Sequence, residues 1–256
     1  MTRPPDALVQ FDAVSLQFGD VHVLEDVTLD VRRGEFVALV GPSGCGKTTL
    51  LNLCSGWIAP TSGRVARPDR VRMVFQHDGL FPWLTVGENV RLGLRHLSEL
   101  NARTRQATEL LALVGLAAFE RHYPHQLSGG MRQRAELARA LGGGTDLLLM
   151  DEPFSSLDYL TRLKLRAELA RLLRDQPRTV VLVTHDIEEA AQLADRVLVL
   201  TDRPARIRHE VVLASPRPRD ATQADVVAAV HSILTELGLE GETDTSAPVR
   251  AVEVIR

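Results

Sequence analysis

"EFVALVGPSGCGKTTLLNLCSG", residues 35–56, decides the fold of this 256-residue chain. Residues 35–40 are a nearly continuous apolar run, suited to a strand covered on both faces. Gly41, four residues and then Gly46-Lys47-Thr48 follow at the spacing of a phosphate loop, directly before the helix-like "TTLLNLCSG". Glycines let backbone N–H groups turn inward around phosphate oxygens, the Lys47 ammonium reaches the β and γ phosphates of a nucleotide, and the Thr48 hydroxyl holds Mg²⁺. The loop through Gly41, Pro42, Ser43, Gly44, Cys45, Gly46, Lys47, Thr48 and Thr49 is therefore the candidate phosphate site.

Outward from this strand, "VRMVF" (71–75), "DLLLM" (146–150), "TVVLV" (179–183) and "RVLVL" (196–200) are further buried-strand runs, most with helical patterns between them. That arrangement predicts an α/β fold with a parallel sheet. "LLLMDEP" (147–153) closes one run with two adjacent carboxylates, at the strand end where such folds place ligands. Asp151 is the candidate for Mg²⁺ through water. Alternation aims Glu152 the other way, toward a water beyond the γ phosphate, with Pro153 expected to hold Glu152 extended. "VTHD" (183–186) brings His185 to the same crevice. Asp186, Glu188 and Glu189 read as an N-cap and an acidic first helical turn rather than a metal cluster. Gln76, just past "VRMVF", places an amide near the same Mg²⁺ and water. Phe18, in "LQFGD", lies far enough upstream of the loop to offer adenine a stacking surface.

Bulk properties narrow the class. The apolar fraction of 45% is ordinary for a globular chain. No apolar run approaches the roughly 18 to 20 residues of a membrane span, and "MTRPPDALVQ" lacks the apolar core of a secretory signal, so a cytoplasmic protein is expected. Cys45 and Cys54 are the two cysteines; they exclude a disulfide framework and are expected as reduced thiols. A net charge of −3 gives no general pull toward nucleic acid. "ALVQFDAVSL" and "VLEDVTLDV" alternate as half-buried antiparallel strands do. From 85 to 141 the pattern turns helical and reads as an insertion. After "RHEVVL", "ASPRPRD" (214–220) is a linker to a last helix, with Thr222 and Asp225 as its capping box and Val226, Val227, Val230, Leu234 and Leu237 on one face.

Within the insertion, "HQLSGGMRQRAELARAL" (125–141) opens a second helix start with a hydroxyl and bare N–H groups at Ser128, Gly129 and Gly130. Met131, Ala135, Ala138 and Leu141 share its apolar face. The order Phe18, "GPSGCGKTT", Gln76, "LSGGM", "LLLMDEP", "SSLD" (155–158) and His185 resembles the ATP-binding cassette transporter ATPases, from about residue 8 to residue 213. The resemblance implies a P-loop NTPase (RecA-like) parallel-sheet core with an N-terminal antiparallel β subdomain and an inserted α-helical subdomain at about 85–141. The nucleotide-binding domain would span 1–213, and 214–256 would be linker and helical tail. It further implies hydrolysis of ATP to ADP and phosphate by Glu152, His185, Lys47 and Gln76. ATP would lie on Phe18 and the phosphate loop, and Mg²⁺ on Thr48, Gln76 and Asp151. Two copies would pair head to tail, Ser128, Gly129 and Gly130 of one closing on the γ phosphate held by the other, with "SSLD" crossing between them. The second anion site then belongs to a neighbour's nucleotide.

Narrower stretches, "LFPWLTVGENV" (80–90) and "DEPFSSLDYLTRLKLRAELARLL", resemble the ATPases of nitrate, sulfonate and taurine importers. That implies the motor subunit for uptake of a small anion, working with two transmembrane permease subunits and, indirectly, an extracytoplasmic solute-binding protein. Such a subunit sits on the cytoplasmic face of the inner membrane. The alternative is a soluble or exporter-associated cassette ATPase acting on nucleic acid, ribosomes or lipid. A single cassette and a short insertion argue against it. Phe18 stands where the family more often has Tyr, "FSSLD" where "FGALD" is frequent, and Cys54, Ser55 and Trp57 where small aliphatics are usual; none removes a catalytic group. Leu80, Phe81, Trp83 and Leu84 crowd around Pro82, either as core or as a groove for a helix of the membrane subunit.

Overall fold

The computed structural model describes residues 6–75, 79–239 and 251–255. β1 (Ala7–Phe18) and β2 (Val21–Arg32) alternate buried and open positions and pair antiparallel, as their sequence alternation requires. β3 (Phe36–Val40) enters a second sheet and is buried at every residue. The phosphate-loop residues follow, then α1 (Lys47–Ser55), which ends at Gly56 in the left-handed conformation (φ 77). β4 (Ser62–Ala66) turns back to pair with β1, giving the order β2-β1-β4. Its polar "SGRVA" has no strand alternation, so only the pairing partner reveals it.

After β5 (Val71–Val74) the chain is helical, with α2 (Val86–Gly93), α3 (Leu100–Leu113) and α4 (Gly129–Leu141). Thr85 and Glu88 cap α2 reciprocally: the Thr85 hydroxyl accepts from the Glu88 N–H, and the Glu88 carboxylate accepts from the Thr85 N–H at 2.7 Å. Val86, Val90, Leu110, Leu111, Ala135 and Ala138 lock the three helices into one cluster. β6 (Leu147–Asp151), α5 (Tyr159–Asp175), β7 (Thr179–Val183), α6 (Ile187–Leu193), β8 (Arg196–Leu200), β9 (Ile207–Leu213), α7 (Ala224–Glu236) and β10 (Ala251–Ile255) complete the described chain.

Among the described residues the large sheet has the order β10-β9-β8-β3-β7-β6-β5. Its neighbours run parallel except β8 and β9. β3, β6, β7 and β8 are buried throughout, so alternate residues serve different cores. Phe36, Ala38 and Val40 pack on the side of the helical insertion, whereas Val37 and Leu39 pack with α1 and the antiparallel sheet. Burial of Leu50, Leu51 and Leu53, each worth about 1.5 to 3 kcal/mol, clamps α1 on that second side and so fixes the loop before it. The α/β fold is as expected: a parallel-sheet core, an N-terminal antiparallel layer and an inserted helical unit.

The last helix departs from expectation. Gln223, not Thr222, is the N-cap of α7, and its side chain makes no capping bond. Thr222 instead donates its hydroxyl to Asp220 at 2.6 Å, and Asp225 accepts from the Ser215 hydroxyl. The buried stripe is Val226, Ala229 and Ile233, which leaves Val227 facing out. α7 packs on α6 and β9. No helix among the described residues is long and apolar enough to cross a membrane.

Candidate functional site

The loop between β3 and α1 is shaped by glycine. Gly44 (φ 76) and Gly46 (φ 124) lie in the left-handed region. A Cβ on Gly46 would sit 3.1 Å from the side chains of Val23 and Leu24, so both the turn and the close approach to β2 exclude a side chain. Gly46 caps α1 without a side-chain bond, and no acidic residue occupies the first turn. The N–H groups there are left for an anion. Lys47 arches back over the loop, its Nζ donating to the carbonyls of Gly41 and Pro42 at 2.8 Å each. Burial pushes the Cys45 thiol up against the pull of Lys47, and pushes Cys54 up to about 12. Both are buried, free thiols, as expected.

A cavity of about 410 Å³ opens beside the loop. Ser43, Gly44, Gly46, Lys47, Thr48 and Thr49 form one wall, with Glu152 and Val183 at the strand ends. Phe18, 54% exposed, stands at the rim with its ring available for stacking. Gly41, Pro42 and Cys45 belong to the loop but do not line the cavity. Asp151 ends β6 and is buried. Gln76 lies outside the described residues.

Glu152 is not extended. Its φ of 47 puts it in the left-handed region, which costs a residue with a Cβ roughly 1 to 2 kcal/mol. Pro153 biases the residue before it toward extended backbone but does not enforce it. Hydrogen bonds decide the matter. The Glu152 N–H donates to the Val183 carbonyl at 2.9 Å. Its own carbonyl accepts from the Ser155 hydroxyl at 2.9 Å and from Gln133 Nε2 at 2.9 Å. Glu152 lines the cavity; His185 does not, but its Nδ1 lies 3.3 Å from Glu152 Oε1.

Among the described residues no group of three or more His, Cys, Asp and Glu can hold a metal. Asp186 is the N-cap of α6 and accepts from the Glu189 N–H at 2.9 Å. Glu189 turns inward and meets Arg166 at 2.8 Å, and Arg166 also pairs with Asp186. Burial pushes the Glu189 carboxyl up to about 7 against the pull of Arg166. For Asp186 burial is outweighed by the Glu189 N–H and the guanidinium groups of Arg166 and Arg162, which hold it below the usual range.

Ser128, Gly129 and Gly130 do not line the cavity. Ser128 caps α4 by accepting from the Met131 N–H at 3.3 Å. A Cβ on Gly130 would lie 3.1 Å from Leu157, against the "SSLD" segment, while one on Gly129 would meet nothing closer than Arg132 at 4.0 Å. The exposed helix start is thus open, and it is separate from the first. Phe81 and Trp83 are exposed with ring centroids 5.3 Å apart, and Leu80 alone of that segment's large residues is buried. A second cavity of about 400 Å³ is lined by Trp57, Phe75, Phe81 and Arg139.

Three residues escape the sequence reading. Arg203 lines the nucleotide-sized cavity, its Nη2 3.3 Å from where a Cβ on Gly44 would be. Only the sheet order could have found it: β8 neighbours β3, so the turn after β8 lies beside the loop after β3. Gln133 and Glu136 are buried polar residues of α4. At about 100° per residue they lie away from the Ala135 and Ala138 stripe, where an apolar-stripe search does not look.

A family model described as ABC transporter matches residues 24–155. The aliphatic sulfonates import ATP-binding protein SsuB 1 of Rhodococcus jostii (strain RHA1) is 46% identical over 242 residues, covering 91% of this chain and 96% of the relative. The taurine import ATP-binding protein TauB of Pelagibacter ubique (strain HTCC1062) is 46% identical over 199 residues, or 74% of this chain and 75% of the relative. Among solved structures, the dimeric ATP-binding cassette MJ0796, in a post-hydrolysis state bound to ADP and Pi, superposes with a TM-score of 0.70 at 34% identity. It covers 79% of this chain and 97% of that one.

Proposed function

The chain belongs to the ABC transporter family, and from that premise we propose that it is the ATP-hydrolysing motor subunit of an importer for small organic anions of the sulfonate and taurine kind. The observation that carries the reading is one cavity bounded by the Ser43–Thr49 wall, the Phe18 rim and the Glu152 carboxylate. Relatives named for sulfonate and taurine import, matched over most of the chain, support the choice of solute class.

The residues divide the work by position. Phe18 stacks adenine, and the N–H groups at the start of α1 receive the phosphates. Lys47 exchanges its two loop carbonyls for the β and γ phosphate oxygens, a stronger charge-assisted pairing. Glu152 accepts a proton from a water whose oxygen attacks the γ phosphorus; the bond to the bridging oxygen of ADP breaks, leaving ADP and inorganic phosphate. His185, at hydrogen-bond reach of Glu152, orients the carboxylate and the water. Thr48 and Asp151 are hard oxygen donors that suit Mg²⁺, with Gln76 as a further ligand by resemblance. When bound, Mg²⁺ neutralises charge on the β and γ phosphates.

Ser128, Gly129 and Gly130 serve a second copy. The dimeric relative supports pairing of two copies; in the head-to-tail arrangement that the family resemblance implies, the α4 helix start of one copy covers the γ phosphate held by the other. ATP then joins two copies and hydrolysis releases them, because those contacts exist only while the terminal phosphate is attached. Two permease subunits receive this movement at the surface around Phe81 and Trp83, with a solute-binding protein upstream. The chain works as a peripheral subunit on the cytoplasmic face of the inner membrane. Lys47→Ala tests the site: ATP binding or turnover is lost if Lys47 supplies the principal cation, whereas normal hydrolysis refutes the assignment.

A further inference from the structure

α4 carries two buried polar side chains, Gln133 and Glu136, in a helix whose Ala135, Leu137 and Ala138 are also fully buried. Gln133 is itself buried, and both ends of its amide are engaged. Nε2 donates to the Glu152 carbonyl at 2.9 Å, while Oε1 accepts from the Ser156 N–H at 3.2 Å and from the Ser156 hydroxyl. One turn on, the Glu136 carboxylate accepts from the Phe75 N–H at 3.0 Å and the Gly79 N–H at 2.9 Å. The helix is therefore tied to two loops of its own chain, while its N-terminus opens outward at Ser128 and Gly129.

We propose that Gln133 is a positioning residue that holds the Glu152 backbone in its left-handed bend from the same helix that presents Ser128 to the partner copy. The inference rests on the proposed role of Glu152 and on head-to-tail pairing. Glu152 occupies a conformation that its Cβ disfavours, so it stays there only while its surroundings over-determine it. Val183 holds it from the end of the neighbouring strand β7 and Ser155 from its own turn; Gln133 is the tie that comes from the helical insertion. Ser128 and Gln133 are five residues apart, about 7.5 Å along a rigid helix axis. A displacement of α4 imposed by the partner's nucleotide moves the amide with it, and the Glu152 carbonyl and Ser156 follow or lose their bonds. One helix thus serves two nucleotides: the partner's through Ser128, its own copy's through Gln133. The closure that completes one site sets the base of the other.

The decisive experiment compares wild type with Gln133→Met, which keeps side-chain length and removes both bonds. Three quantities are read: ATP affinity, Mg-ATP-dependent dimerisation by light scattering, and single-turnover hydrolysis. The expected result is affinity within about twofold and retained dimerisation, with hydrolysis down on the order of 10²-fold, the cost of misplacing a catalytic group by about an ångström. Hydrolysis within about twofold of wild type overturns the proposal, and so does an equal loss of dimerisation, which would make Gln133 a prop for Ser128 alone. If Gln133→Met does not fold, Gln133→Glu gives the same readings, since it keeps the shape and the Ser156 acceptor but sets an oxygen against the Glu152 carbonyl. Glu152→Gln is the control: wild-type hydrolysis by that variant refutes the role of Glu152 instead, and the two failures are told apart.

Discussion

The bend at Glu152 predicts an inverted order of stability between two substitutions. Both Glu152→Ala and Glu152→Gly remove the carboxylate and its contact with His185, so that contribution cancels between them. What remains is the backbone. Ala in the left-handed region retains a penalty of roughly 1 to 2 kcal/mol, which Gly does not pay. Against this, Gly loses about 0.4 to 1 kcal/mol more through the entropy of the unfolded chain. The balance makes Glu152→Gly the more stable by about 0.5 to 1 kcal/mol, or roughly 1 to 4 °C in Tm for a chain of this size. Urea denaturation of the nucleotide-free proteins measures it, with Glu109 as the reference position. Glu109 is an exposed residue inside α3, and there Ala should exceed Gly by about 1 kcal/mol. If Glu152→Ala is more stable than Glu152→Gly by a similar amount, the residue is not held against its preference and the reasoning fails.

Three further outcomes follow from exposure and charge. Arg203→Ala should weaken ATP binding about three- to tenfold, a discounted charge-assisted contact because the side chain is open to water, and unchanged affinity removes Arg203 from the site. Trp83 is 69% exposed, so Trp83→Ala should cost folding no more than about 2 kcal/mol while weakening association with the membrane subunit by roughly 2 kcal/mol or more. A collapse of thermal stability instead would return Trp83 to the core. Glu189, pushed up to about 7, keeps in the folded protein a proton that the unfolded chain gives up from its ordinary value of 4.5. Its contribution is therefore whole below that value and is lost as pH rises toward and through 7, with a slope of at most about 1.4 kcal/mol per unit. Denaturation of Glu189→Gln between pH 5 and 8 should show a flatter dependence than wild type; equal slopes contradict the inward placement of an ionisable carboxyl.

Much of the fold was legible because buried parallel strands need apolar residues on both faces, and "FVALV", "LLLMD", "TVVLV" and "RVLVL" have them. The phosphate loop was legible because close approach to β2 leaves glycine alone at Gly46. What stayed hidden depends on partners distant in sequence. β4 is a strand only through β1, Arg203 reaches the cavity only through the β3–β8 pairing, and the bend at Glu152 is set by Val183 and Gln133. The capping of α7 escapes the sequence for the same reason: Asp220 and Ser215 claim the groups of Thr222 and Asp225.

In the proposed cycle ATP closes two copies on each other and hydrolysis at Glu152 opens them. Glu152→Gln isolates the first half, since it keeps the loop, Lys47 and Thr48 while removing the base, and should slow hydrolysis on the order of 10²-fold or more. Light scattering of this variant saturated with Mg-ATP measures that closure directly. The expected result is a stable dimer that returns to monomer when ADP replaces ATP. A variant that remains monomeric with its nucleotide site filled contradicts it.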